Sequence, residues 1–304
     1  MYFGQDPAGR PVLLIRIHSA SRARAPVQLN GLSVYFCLSS VISLPTGETQ
    51  NGDFATLLCT SDERDLQQYF ISVCSALVKL IGQATDSDSI IRCIQRSIDL
   101  YQKIALPQKK SVVGLAGELY AIYLSSSSLD MVNAWRNGKN DHFDFSIGDA
   151  RLEVKGVSGR RRSHYFSLEQ TNPPPGTYAV VLSLFIEAAG AGLSIGEMIR
   201  RIDARLFNAP ELQMKFHEII AGTLGSAITS AFAFSFDERQ AKASARYFDL
   251  LTIPAIRIAP LGVTSVKFNS DLSTTPELDR SYLENFNLDL RKLTLQSRVL
   301  PINS

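Results

Sequence analysis

An Asp, a Glu and a Lys come close together in Phe143-Asp144-Phe145-Ser146-Ile147-Gly148-Asp149-Ala150-Arg151-Leu152-Glu153-Val154-Lys155. Phe143, Phe145 and Ile147 alternate with polar residues, as do Leu152 and Val154 on the return, and such alternation reads as a β-hairpin. Gly148-Asp149 suits a two-residue turn, because glycine accepts positive φ at the first central position. That turn pairs Ile147 with Ala150 and Phe145 with Leu152, which sets Asp144 opposite Glu153. A side-chain period of two then puts Lys155 beside Glu153 on the same face, with His142 across from it. Phe143, Phe145, Leu152 and Val154 fill the other face and are expected in the core.

Two carboxylates opposed on neighbouring strands repel and weaken a hairpin. A cation between them removes the penalty, and an oxygen donor set suits Mg²⁺ or Mn²⁺. The Val154 carbonyl could add a third oxygen, and Lys155 could orient an attacking water and steady charge on a phosphate. Those groups together make a metal-dependent phosphodiesterase site. The competing reading is two solvated acids on the outer face of a surface hairpin.

The surrounding elements must carry these groups. Ser111 is an N-cap candidate for a helix whose Leu115, Leu119 and Ile122 form an apolar stripe. At about 100° per residue, Glu118 lies roughly 60° from Leu115, at the edge of the stripe and along the seam with the sheet. Gly114 and Gly117 would let this helix approach the sheet closely. After the hairpin, Gly156-Val157-Ser158-Gly159 reads as a turn that could bring Arg160, Arg161 and Arg162 onto a phosphate backbone. Ser163 to Gln170 reads as a third strand, with His164, Phe166, Leu168 and Gln170 on one face and Tyr165, Ser167 and Glu169 on the other. Which face is buried stays open.

The spacing resembles the PD-(D/E)XK nuclease superfamily, in which an acid on a helix precedes an Asp on one strand and a (D/E)-x-K triplet on the next. Glu118, Asp144 and Glu153-Val154-Lys155 are the matching residues, with Phe143 where a Pro often stands. The wider run from Gly114-Leu115-Ala116-Gly117-Glu118-Leu119 through Tyr165-Phe166-Ser167-Leu168-Glu169-Gln170 is similar to one bacterial family of PD-(D/E)XK proteins. Its members tend to be encoded near restriction–modification and phage-defence genes. The resemblance covers residues 110–190 and, more loosely, the flanks. It implies a restriction-endonuclease-like core, Glu118 joining Asp144 and Glu153 as metal ligand, and Gln170 lining the site.

The chain has 304 residues, 45% of them hydrophobic, with a formal charge of +2 and a pI near 8.3. Any affinity for nucleic acid must therefore come from a local groove rather than a global field. Cys37, Cys59, Cys74 and Cys93 show no C-x-x-C spacing and read as reduced residues of a cytoplasmic protein. The four His lack ligand spacing. Neither a signal peptide nor a membrane span is expected, because the apolar stretch 178–196 reads as a buried strand followed by a loop. Neither G-x-S-x-G nor a P-loop pattern is present, which disfavours serine hydrolase and P-loop chemistry.

Residues 1–105 read as a strand-rich region (Pro11–His18, Ser33–Leu44, Phe54–Thr60) followed by two helices, Glu63–Ile81 and Asp86–Ile104. Residues 106–190 form the expected catalytic core, with a further strand at 178–186. Residues 191–304 add helices at 194–206 and 210–224 and strands Tyr247–Ile253 and Val263–Asn269, and the last thirty-odd residues carry little pattern. The expected class is α/β or α+β, a mixed central sheet flanked by helices with an N-terminal strand-rich subdomain. The function expected is Mg²⁺-dependent cleavage of DNA in restriction-like or phage defence. The alternatives are a silent nuclease-fold subunit that binds DNA or scaffolds other defence-operon proteins, and a nuclease for RNA. Double-strand cutting also admits a homodimer.

Overall fold

The alternating apolar residues near the N-terminus become an antiparallel sheet in the computed structural model, which describes residues 1–16, 24–84, 87–136, 142–279, 283 and 288–295. The chain divides into two compact units, Met1–Lys109 with Phe207–Ser230, and Lys110–Leu206 with Ala231–Ser304.

In the first unit, β1 (Tyr2–Gln5), β2 (Pro11–Arg16), β3 (Val27–Leu29), β4 (Leu32–Ser43) and β5 (Thr49–Cys59) form one sheet in the order β1-β2-β5-β4-β3. β1 and β3 are too short and too exposed for alternation to reveal them. The end of the expected strand at Ile17 and His18, and Asp86 at the start of the second helix, lie outside the described residues. The spacing of Leu66, Phe70, Val73, Leu77 and Leu80 predicts one apolar face for helix α1 (Arg64–Gly82), which buries the last four and leaves Leu66 half-buried. Helix α2 (Ser87–Ile104) follows it.

The second unit begins with α3 (Val112–Leu124) and α4 (Ser128–Ala134). The hairpin is present as β6 (Phe145–Ile147) and β7 (Ala150–Val157), paired Phe145 to Leu152 and Ile147 to Ala150. Gly148 in the turn has φ +50°, which glycine adopts without strain. Next come β8 (Ser163–Ser167), the helical turn α5 (Leu168–Thr171) and β9 (Tyr178–Phe185). The strand expected to run to Gln170 stops at Ser167, because Ser167 and Gln170 form a reciprocal capping box that starts the turn. β10 (Ala188–Ser194) is a strand where a loop was expected, and α6 (Ile195–Arg205) follows it. The chain then supplies α7 (Pro210–Leu224) to the first unit. After α8 (Ile228–Phe232) come β11 (Ser235–Phe236), α9 (Glu238–Ser244), β12 (Arg246–Asp249), β13 (Lys267–Asp271) and α10 (Leu288–Lys292).

The central sheet has the order β12-β9-β7-β6. β7 and β9 are parallel, whereas β6 and β12 run antiparallel to their neighbours, so the sheet is mixed. Helix α3 lies on β7. A Cβ on Gly117 would meet Val154 Cγ1 at 3.3 Å, and one on Gly156 would meet the Val113 carbonyl oxygen at 2.7 Å. The close approach is therefore made by Gly117 and Gly156. A Cβ on Gly114 would meet its own N-cap, Ser111 Oγ, at 3.1 Å rather than the sheet. β8 does not join the central sheet but pairs with β13 in a separate two-stranded ribbon. Phe166 of that ribbon packs with Phe143, Val181, Phe248 and Leu272 in a buried cluster. No described helix is long and apolar enough to cross a membrane.

Candidate active site

Asp144 stands one residue before β6. The ladder stops at Phe145–Leu152, one pair short of facing Asp144 with Glu153. The Asp144 carbonyl instead accepts the Arg136 N–H at 2.9 Å, and its Oδ2 accepts the Val154 N–H at 2.9 Å. The side chain thus takes the place of a backbone acceptor at the end of the ladder. Glu153 follows on β7, between Leu152 and Val154, which point the other way into the core. Asp144 is 6% exposed and Glu153 2%, so they are not solvated acids on a surface hairpin.

Glu118 is fully buried on α3. Ser111 caps that helix by accepting the Gly114 N–H, and the Glu118 carboxylate is gripped from three sides. The Trp135 indole donates to Oε2 at 2.6 Å, and Arg136 Nη2 reaches Oε1 at 3.0 Å and Oε2 at 2.8 Å. Lys110 Nζ lies 2.5 Å from Glu118 Oε1 and 2.8 Å from Asp144 Oδ1, joining helix and hairpin acids. Arg136 adopts φ +49°, uncommon for a non-glycine residue, at the turn that aims its side chain back at Glu118.

The electrostatics separate the two hairpin acids. Burial works to raise the Asp144 carboxyl, but Lys110, the Val154 N–H and Arg136 outweigh it and hold the group below the ordinary carboxylate range. Burial and then the neighbouring Asp144 charge push Glu153 up to about 7, against Lys155 and Lys110. Burial disfavours the Lys110 ammonium, yet Glu118, Asp144 and Glu153 together raise it above the ordinary lysine value.

Lys155 Nζ is 2.6 Å from Glu153 Oε1 and lies 4.7 Å from the centre of the Phe166 ring. Gln170 Nε2 donates to the same Glu153 oxygen at 2.7 Å and to the His142 carbonyl at 3.1 Å. Gln170 therefore faces the acids, while Glu169 is exposed. Of the three consecutive arginines, Arg160 and Arg161 are exposed and Arg162 is turned inward. Arg162 Nη1 donates to the Ser183 hydroxyl at 2.8 Å and its Nη2 to the Ser244 carbonyl, with the guanidinium 4.5 Å from the centre of the Phe185 ring.

Glu118, Asp144, Glu153, Lys155 and Gln170 are thus brought together. Lys110, Trp135 and Arg136 complete the group without any signal in the spacing, since all three lie outside the regular elements. Trp135 is the single Trp of the chain, a hint available from composition alone. The donor set suits a hard cation. Glu153 Oε2 is buried with no hydrogen-bond partner, an oxygen left for a ligand beside Asp144. Among the described residues no three His, Cys, Asp or Glu side chains are gathered closely enough to hold a metal as they stand. The Lys110 ammonium bridges two of the acids instead.

A family model described as "Putative PD-(D/E)XK family member, (DUF4420)" matches residues 1–273. No curated protein matches the chain. No solved structure matches it either.

Proposed function

Because the chain belongs to this PD-(D/E)XK family over residues 1–273, we propose that it is a metal-dependent nuclease that hydrolyses phosphodiester bonds of DNA in restriction-like or phage defence. The observation that carries the reading is the buried, unpartnered Glu153 Oε2 beside Asp144, with Lys155 on the other Glu153 oxygen. Asp144 and Glu153 would hold Mg²⁺ or Mn²⁺, and Glu118 would add an oxygen. The ion would supply Lewis-acid polarisation of the phosphate and ease the formation of hydroxide.

The chain's own residues do the rest. Lys155, shielded by Phe166 and tied to Glu153, orients the attacking water and meets charge developing on the phosphate. Gln170 fixes the Glu153 side chain through Oε1 and so leaves Oε2 facing the ligand. Arg160 and Arg161, exposed after β7, contact backbone phosphates, while Arg162 anchors their loop to β9.

One observation favours a second reading. Every acid of the site already has a cationic partner, which also suits a nuclease-fold subunit that binds DNA without cutting it. The test is cleavage of a panel of DNA and RNA by wild type, Asp144→Asn and Lys155→Ala with Mg²⁺ or Mn²⁺. Asparagine keeps an acceptor for the Val154 N–H. DNA cleavage that needs metal and falls by about 10³-fold or more in both variants is expected. Full activity in Asp144→Asn would sink the assignment, cleavage of RNA alone would move the substrate, and DNA binding without cleavage would favour the silent subunit.

A further inference from the structure

Three carboxylates, Glu118, Asp144 and Glu153, are ion-paired with three cations, Lys110, Arg136 and Lys155. With all three acids ionised, their charges balance with no ion added. A divalent cation entering such a buried group would leave two uncompensated positive charges unless something departs, and uncompensated buried charge is costly.

The three cations differ in how they are held. Arg136 Nη2 bonds both oxygens of Glu118, its backbone N–H is bound to the Asp144 carbonyl, and its guanidinium lies 5.5 Å from the centre of the Trp135 ring. Lys155 sits in the middle of the central sheet, opposite Ser183 of β9, with its side chain 16% exposed and its ammonium over Phe166. Lys110 precedes the N-cap of α3, outside any regular element, and its side chain is 34% exposed. It reaches the acids by a flexible four-carbon stem and can swing to water without moving the backbone. It is also the one of these three cations that bridges two acids. Its departure frees Asp144 Oδ1 and leaves Glu118 Oε1 to Arg136 alone, beside the unpartnered Glu153 Oε2.

We propose that Lys110 and the divalent cation exclude one another. The Lys110 ammonium is an exchangeable internal counter-ion that holds the site assembled without metal, and its release gates metal entry and sets metal affinity. This rests on the metal-dependent reading above. Only molecules with Lys110 swung out are competent to bind, so the apparent affinity is weakened by that fraction. Removing the ammonium should tighten metal binding even though it deletes a contact of the folded protein.

The test is calorimetric titration of Mn²⁺ into the full chain, as wild type, Lys110→Met and Lys110→Arg. A second measurement on wild type alone is acetylation of lysines by N-hydroxysuccinimidyl acetate, read by peptide mass spectrometry with and without Mn²⁺. Lys110→Met should bind Mn²⁺ at least about tenfold more tightly, the ordinary scale of site coupling. Lys110→Arg, which keeps the charge, should stay near wild type. Mn²⁺ should raise the acetylation of Lys110 in wild type as the ammonium is released to solvent. Equal or weaker Mn²⁺ binding by folded Lys110→Met overturns the exchange and leaves the metal-dependent reading standing. Should Lys110→Met fail to fold, acetylation decides, and labelling that Mn²⁺ leaves unchanged or lowers overturns the exchange. Absence of Mn²⁺ binding in wild type and in folded Lys110→Met alike ends the metal-dependent reading, and the exchange with it.

Discussion

His164 should make the second unit sensitive to acid in a defined window. Its side chain lies inward from β8, 4% exposed, with Nε2 2.8 Å from Ser183 Oγ. Burial, and then the charges of Lys155 and Arg162, outweigh Asp271 and push the imidazole down to about 4 from 6.5. Above pH 6.5 the ring is neutral in both folded and unfolded chains. As pH falls below that, the unfolded chain takes up a proton that the folded chain refuses until about pH 4. The unfolded state then binds more protons, so stability falls with pH across this window. At ~1.4 kcal/mol per pH unit, the interval amounts to about 3 kcal/mol. Urea unfolding followed by the fluorescence of Trp135, the chain's single Trp and a member of this unit, measures it directly. His164→Gln keeps a hydrogen-bonding group toward Ser183 and cannot titrate. Wild type should lose about 3 kcal/mol more than His164→Gln between about pH 7 and about pH 4. Parallel curves for the two proteins, within about 1 kcal/mol, would refute the argument.

Four further outcomes are expected. Glu118→Gln keeps the shape but removes the charge that Trp135, Arg136 and Lys110 converge on, and should cost about 3 kcal/mol in the same fluorescence assay. Gly156→Ala would place a methyl 2.7 Å from the Val113 carbonyl oxygen, so α3 must shift. A loss of about 1–3 kcal/mol, read as a lower thermal midpoint, should follow. Arg160→Ala with Arg161→Ala should leave the midpoint unchanged and flatten the salt dependence of DNA binding by about one unit of slope per lost phosphate contact. Arg162→Ala should instead lower stability by about 2 kcal/mol, because its bonds to Ser183 and Ser244 are lost.

The hairpin was legible because its turn and its alternation are local. Gly148-Asp149 sets the register of Phe145 and Leu152 without reference to the rest of the chain. The Ser111 cap and the stripe of α3 are local in the same sense. What lay beyond the pattern is tertiary. Asp144 leaves the ladder to satisfy a backbone N–H, a choice that alternation does not encode. Lys110 and Arg136 reach Glu118 from irregular segments, where spacing has no period to read. Gln170 could have been placed better, since Ser167-Leu168-Glu169-Gln170 carries the Ser-x-x-Gln signature of a capped helical start. Arg162 looks like its two neighbours in sequence and is turned inward only because Ser183, Phe185 and Ser244 receive it.

The pairing of β8 with β13 also has a consequence in time. Ser167 meets Lys267, its partner a hundred positions later in the chain. During synthesis α3, the acidic hairpin and β9 emerge well before the strand that fixes β8, and contacts so distant in sequence form late. Asp144 and Glu153 can be seated while Gln170, carried on the turn that β8 leads into, still lacks its anchor. A nascent chain stopped before β13 would therefore expose the acids without the group that orients them, and the set closes only once β13 has been made.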